Sequence, residues 1–186
     1  MDIDAAPQAG SAQPVPDHLA LAAARGDRRA FEALVRAEYD RIHRFAWRCC
    51  RDHDRADDLV QDVLLKLART IAGYRGDSRF STYLYRLVVN TWIDSRRAEK
   101  RFQAAITEVG IAAAIETTGD DDALDRLVEA IHRLGPPLQE TVLLICGEGV
   151  TQAEAALILG RAPGTIAWQM AEARKRLKSL LAEDAA

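Results

Sequence analysis

From Phe31 onward the apolar residues of this chain return at intervals of three and four, and no segment alternates apolar with polar residues between turn signals. Three-and-four spacing places side chains on one stripe of a helix, whereas a half-buried strand needs a period of two. An all-α fold is therefore expected. Phe31, Leu34, Val35, Tyr39, Ile42, Phe45 and Ala46 make the first long stripe. A shorter helical stretch from Asp17 precedes it and breaks near Gly26-Asp27. Asp52 to Asp54 interrupts the pattern, and a second helix is predicted over residues 55–71, with Leu59, Val63, Leu64 and Leu67 on one side. Gly73 and Gly76 bracket a loop. Ser81-Thr82 then predicts the start of a third helix carrying Leu84, Leu87, Val88, Thr91 and Trp92.

Residues 103–121 lose this patterning and read as an interdomain linker. Residues 1–16, rich in Ala, Pro, Gln and Gly, read as a flexible tail. The expectation is two small helical domains, 17–102 and 122–182, joined by a flexible linker. In the second, Leu124, Leu127, Val128, Ile131 and Leu134 form a stripe that Gly135-Pro136-Pro137 stops. Leu138 to Cys146 is a short apolar helix, ended by Gly147 and Gly149.

Residues 150–177 carry the sharpest local signal. Thr151 is a good N-cap, and Glu154 three residues later completes a capping box. A short helix through Ala155, Ala156 and Leu159 ends at Gly160, which tolerates a left-handed backbone. Arg161 to Gly164 predicts a turn, after which Thr165 would cap a second helix through Ile166, Met170, Ala173, Leu177 and Leu180. Two short helices with small residues at their crossing describe a helix-turn-helix. Its groove-facing residues would be Thr165, Ala167, Trp168, Gln169 and Glu172, with Arg174, Lys175, Arg176 and Lys178 reaching phosphates. A plain helical hairpin with a charged tail has the same spacing.

The net charge of −3 hides an asymmetry. Residues 17–102 hold 18 Lys/Arg against 13 Asp/Glu, and residues 103–186 hold 7 against 13. The first half is thus the candidate partner of a polyanion. Within it, residues 79–101 carry six Lys/Arg and two Asp/Glu, interleaved with Phe80, Tyr83, Tyr85 and Trp92. Cations that track phosphates and rings that stack on bases suit a single strand, although Tyr83, Leu84 and Trp92 also fit a core. Asn90 offers donors and an acceptor to a base edge. Just upstream, Asp57, Asp58, Gln61, Asp62 and Leu65 form an acidic ridge beside an apolar edge, which on spacing alone is equally a solvated face.

No apolar run approaches the roughly 20 residues of a membrane span, and no basic stretch leads into an apolar core at the N-terminus, so a cytoplasmic location without membrane insertion is expected. The three cysteines, Cys49, Cys50 and Cys146, fit a reducing compartment. Cys49, Cys50 and His53 lack a second ligand pair at zinc spacing, and no catalytic constellation or phosphate-binding Gly loop is present. Neither enzymatic activity, metal nor cofactor is expected.

Three blocks in order resemble the extracytoplasmic-function (ECF) subfamily of the sigma-70 sigma factors: Asp57 to Val63, Phe80 to Asn90 continuing to Asp94 and Arg97, and Gly149 to Leu177. The resemblance covers about residues 17–181. It implies a factor that brings core RNA polymerase to promoters and assists their melting. The first domain would be sigma region 2 and the second sigma region 4. Asp57, Asp58, Gln61, Asp62 and Leu65 would dock on the clamp helices of the largest polymerase subunit, and the flap of the second-largest subunit would be a further partner. Arg79, Phe80, Thr82, Tyr83, Arg86, Asn90 and Arg97 would bind the minus-ten element, trapping a flipped base. The helix-turn-helix, with Thr165, Ala167, Trp168, Gln169, Glu172, Arg174, Lys175 and Arg176, would read the minus-thirty-five element. The resemblance also implies an anti-sigma factor as partner. Tyr83 stands where Trp is usual in the family, and Ala167, Trp168 and Glu172 replace its commoner basic or polar residues. Arg161 replaces an apolar residue and is expected to add a phosphate contact. The acidic second half motivates an alternative, a sigma mimic that captures an anti-sigma factor without touching DNA.

Overall fold

The computed structural model describes residues 17–107 and 122–183. These form eight α-helices, with no strand among the described residues. The tail at 1–16 and the linker residues 108–121 lie outside them, whereas residues 103–107 continue a helix. Helix α1 spans Asp17–Ala24, α2 Arg28–Cys50, α3 His53–Thr70 and α4 Phe80–Thr107. Then come α5 (Asp122–Arg133), α6 (Pro136–Val142), α7 (Gln152–Leu159) and α8 (Pro163–Glu183).

The breaks follow local chemistry. Asp27 and Asp52 cap α2 and α3, accepting from the amides of Ala30 at 3.1 Å and Arg55 at 2.8 Å. Each satisfies a backbone donor that the first helical turn leaves without a partner. Thr151 and Glu154 form the reciprocal capping box of α7. Gly160 ends that helix at φ 61°, a left-handed backbone that costs glycine little. Several starts differ from the sequence reading, among them α3 at His53 instead of residue 55 and α6 at Pro136 instead of Leu138. Helix α8 begins at Pro163, whose fixed φ and missing N–H suit a first helical position, so Thr165 lies inside the first turn instead of capping it. Helix α4 begins at Phe80, whose amide donates to Asp17 Oδ1 of α1 at 2.8 Å. That cap comes from 63 residues away. Between α6 and α7 the chain widens into a π turn over Leu143–Gly147.

Helices α1 to α4 enclose one core, in which Leu34, Ile42, Phe45, Leu67, Phe80, Leu84 and Val88 are buried. Helices α5, α6 and α8 share a smaller one around Leu134, Leu138, Val142, Met170 and Ala173. Ala155 and Ala156 of α7 pack on Ile166 of α8, where their small side chains let the helices approach. The two halves are not separate. Leu143, Leu144 and Ile158 belong to the same apolar cluster as Phe45 and Leu84, and α7 lies against α4.

Candidate nucleic-acid interface

Helix α3 is cleanly two-faced. Ala56, Leu59, Val60, Val63 and Leu67 face the core, while Asp57, Asp58, Gln61, Asp62 and Leu65 are all exposed. The outer five fall within two and a half turns on one side, so the ridge read from the sequence exists as a surface. It is flanked by a shallow groove lined by Tyr39, Asp57, Val60, Gln61, Leu64 and Leu65. Tyr39 stacks on His43, whose Nε2 lies 3.1 Å from Asp57 Oδ1. Acidic oxygens beside exposed apolar carbon suit a partner surface carrying both cations and hydrocarbon.

Helix α4 is the next element round the core. Arg86, Asn90, Asp94, Arg97 and Arg101 are exposed at spacings of three and four, with Arg79 in the preceding loop. Asp94, Arg97, Lys100 and Arg101 line an open cleft. The aromatics do not join this stripe. Phe80 is 1% exposed and Thr82 6%, so neither presents a face to a strand. Phe80 packs edge-on against Tyr74 at 5.6 Å, Tyr85 against Phe45 at 5.5 Å, and Trp92 is buried under the Arg96 guanidinium. Burying these rings removes far more apolar area from water than a transient base stack would. Only Tyr83 is half-exposed, and its hydroxyl donates to Thr70 Oγ1 at 2.7 Å. The strand-binding candidates left on the surface are Arg79, Tyr83, Arg86, Asn90 and Arg97.

In α8, Thr165, Ala167, Trp168, Arg174, Lys175 and Arg176 are exposed, Trp168 at 62%. Gln169 departs from expectation. It is 5% exposed and sits on the inner stripe with Ile166, Met170 and Ala173. Its Oε1 accepts from Thr141 Oγ1 at 2.9 Å and from Arg161 Nη1 at 3.3 Å. It therefore holds α8 on α6 and does not face a groove. Arg161 is also structural, bonded to the buried Glu140 carboxylate and to the Pro137 carbonyl. Burial raises the pKa of Glu140, with the Arg161 charge opposing. Glu172 accepts from Arg176 Nε at 2.7 Å, which offsets its repulsion of phosphate.

A polar junction without any local sequence signature joins the halves. Arg48 Nη1 donates to the Gly147 carbonyl at 2.6 Å and to the Glu148 carboxylate. Tyr85 Oη donates to the same carboxylate at 2.6 Å. Arg96 Nη1 donates to Gln139 Oε1 at 2.9 Å, and Gln139 Nε2 lies 3.1 Å from His132 Nδ1. His132 Nε2 lies 3.2 Å from the Arg48 carbonyl, which can only accept, so the ring proton is assigned to Nε2 and Nδ1 accepts from Gln139. Burial holds this imidazole below its ordinary 6.5, with the carbonyl bond and Glu129 opposing and Arg51 and Arg96 adding to the depression. A depressed histidine contributes stability above its unfolded pKa and loses it as pH falls through the folded one. His132 is expected to remain mostly neutral at pH 6.5 by ring NMR, where a free imidazole is about half protonated. Half protonation at or above that pH would contradict the buried arrangement.

Among the described residues, no group of His, Cys, Asp or Glu is placed to hold a metal, and no helix is long and apolar enough to cross a membrane. Burial pushes the thiols of Cys49 and Cys50 up, Cys50 to about 11, so neither is a ready nucleophile.

Residues 34–102, from within α2 to most of α4, match the family Sigma-70 region 2, and residues 124–177 match Sigma-70, region 4. The ECF RNA polymerase sigma factor SigM of Mycobacterium tuberculosis is 34% identical over 156 residues, covering 84% of this chain and 79% of SigM. The chain belongs to the ECF sigma factors. SigE of Mycolicibacterium smegmatis is 27% identical over 178 residues, covering 90% of this sigma factor and 69% of SigE. Among solved structures, the sigma factor RpoE in complex with the anti-sigma factor NepR, from Bartonella quintana, aligns with a TM-score of 0.68 at 29% identity, covering 81% of this chain and 96% of that one. CnrH in complex with the cytosolic domain of CnrY shares the fold, with a TM-score of 0.67 at 24% identity over 90% of this chain and 97% of that one. Sigma factors are transcription initiation factors and not enzymes, and nothing in these relatives favours the decoy reading.

Proposed function

We propose that the α3 ridge of Asp57, Asp58, Gln61, Asp62 and Leu65 docks on the clamp helices of the largest polymerase subunit, and that Arg79, Tyr83, Arg86, Asn90 and Arg97 hold the unpaired minus-ten strand. Helix α8 then takes the minus-thirty-five element, with Thr165 and Trp168 toward the groove and Arg174, Lys175 and Arg176 on phosphates. The helix-turn-helix unit also meets the flap of the second-largest subunit. The domains are 17–102 for docking and melting and 122–182 for upstream recognition. An anti-sigma factor, as bound by RpoE, and a cytoplasmic location complete the reading.

One observation carries it. The exposed acidic ridge of α3 and the exposed cation-and-amide stripe of α4 stand on adjacent helices of one core, α3 packing directly on α4. That arrangement holds a polymerase and an opened strand at fixed separation, and positioned phosphate contacts with one amide suit a flipped base. Asn90→Ala tests it. The side chain is exposed, so folding and core binding should be unchanged, while promoter opening followed by permanganate footprinting should fall about tenfold for one lost base contact. Lost core binding in this variant would mean that α4 is misassigned.

A further inference from the structure

The leading turns of α8 have an apolar surface. Residues 163–172 contain no Arg, Lys, Asn or His. Their one carboxamide, Gln169, is 5% exposed and accepts from Thr141 Oγ1 and Arg161 Nη1. Their one carboxylate, Glu172, accepts from Arg176 Nε at 2.7 Å, one turn toward the C-terminus. In the preceding turn Arg161 is held by Glu140 and the Pro137 carbonyl. Beyond Pro163 and Gly164, the exposed residues of these turns are Thr165, Ala167, Trp168 and Ala171, with Trp168 open to 62%.

Direct readout in a major groove ordinarily rests on guanidinium, carboxamide or carboxylate groups that pair with base edges. At the front of α8 each of these is missing or bonded within the protein. A threonine hydroxyl both donates and accepts, so it discriminates little. The mark that remains is apolar, the 5-methyl group of thymine. Trp168 is the largest apolar surface placed to meet it. It shares a helix face with Thr165, three residues before, and Lys175, seven residues after. Lys175 and its neighbour Arg174 are exposed and carry the charge that duplex phosphates attract. An indole followed by free cations on one helix fits duplex DNA better than a protein partner.

We propose that Trp168 is the specificity-determining residue for the upstream element: its indole reads thymine methyl groups in the major groove, in place of the hydrogen bonds that α8 does not offer. The proposal deepens the assignment of α8 to the minus-thirty-five element and rests on it. Trp168 lies outside the core of its unit, so its removal leaves the fold intact.

The test uses the full chain assembled with core polymerase, as wild type, Trp168→Ala, Trp168→Phe and Lys175→Ala. Promoters randomised over the upstream element and selected by the wild-type holoenzyme should converge on thymine at one or two fixed positions. Replacing those thymines by deoxyuridine removes the methyl and leaves every polar group of the base pair in place. Wild-type affinity, read by competition gel shift, should then fall about fourfold for each methyl, the worth of one buried carbon. Trp168→Phe should keep part of that sensitivity, and Trp168→Ala should bind thymine and uracil duplexes alike at the weaker level. Lys175→Ala should weaken both equally, since a phosphate contact carries no base information. Thymine and uracil bound equally by the wild type, or a methyl preference that survives Trp168→Ala, overturns the proposal. If neither Trp168→Ala nor Lys175→Ala alters binding to any duplex, α8 is off the DNA and the underlying assignment fails with it.

Discussion

Replacing Asp58 and Asp62 together by lysine is expected to weaken binding to core RNA polymerase about a hundredfold while leaving thermal unfolding nearly unchanged. Both side chains are exposed on the outer face of α3, one turn apart, and the helix is held by Ala56, Leu59, Val60, Val63 and Leu67 on its inner face. Isolated exposed ion pairs contribute little, so deleting a single carboxylate would be a weak test. Reversal acts differently, because it places like charges against the cations that the ridge is proposed to meet. The adjoining groove at Tyr39, Leu64 and Leu65 should retain some affinity through apolar contact. The loss should appear mainly in the association rate and shrink as salt rises, since a Debye length of about 8 Å at physiological ionic strength screens exposed charges. Biolayer interferometry against immobilised core polymerase measures both, and unchanged affinity would remove α3 from the docking surface.

The second large effect is on stability. Phe80→Ala should destabilise the protein by about 3–5 kcal/mol, the usual cost of emptying a buried aromatic site. The ring is 1% exposed, packs edge-on against Tyr74 and lies 6.0 Å from Tyr83. Its own amide carries the Asp17 cap that starts α4. A cavity there also loosens the loop bearing Arg79. Phe80→Leu should cost clearly less, because it keeps most of the volume. Urea unfolding followed by circular dichroism gives both values. A cost below about 1 kcal/mol would place the ring at the surface, where direct contact with DNA would need it.

What the sequence disclosed and what it hid divide along physical lines. The cap at Thr151, the left-handed Gly160, the breaks near Asp27 and Asp52 and the inner stripe of α3 depend on residues within one turn, and local chemistry decides them. The cap on Phe80 could not be seen, since its acceptor belongs to another helix. The aromatics of α4 were ambiguous because a ring that stacks on a base and a ring that fills a core have the same spacing. Burial resolves Phe80, Tyr85 and Trp92 toward the core. Gln169 was misplaced for a related reason. Its polarity suggests exposure, although it shares the stripe of Ile166 and Ala173, and its amide oxygen accepts from Thr141 and Arg161. The Glu148 junction had no local signature at all, because its donors come from α2 and α4.

This sigma factor is proposed to open promoters through α4 while held on polymerase by α3. Reconstituted transcription with purified core polymerase on a promoter library tests it most directly. Open complexes are expected on a defined subset of promoters, lost with Asp58→Lys/Asp62→Lys through core binding and with Asn90→Ala at the melting step. No promoter opened, despite tight binding to polymerase or to an anti-sigma factor, would contradict it.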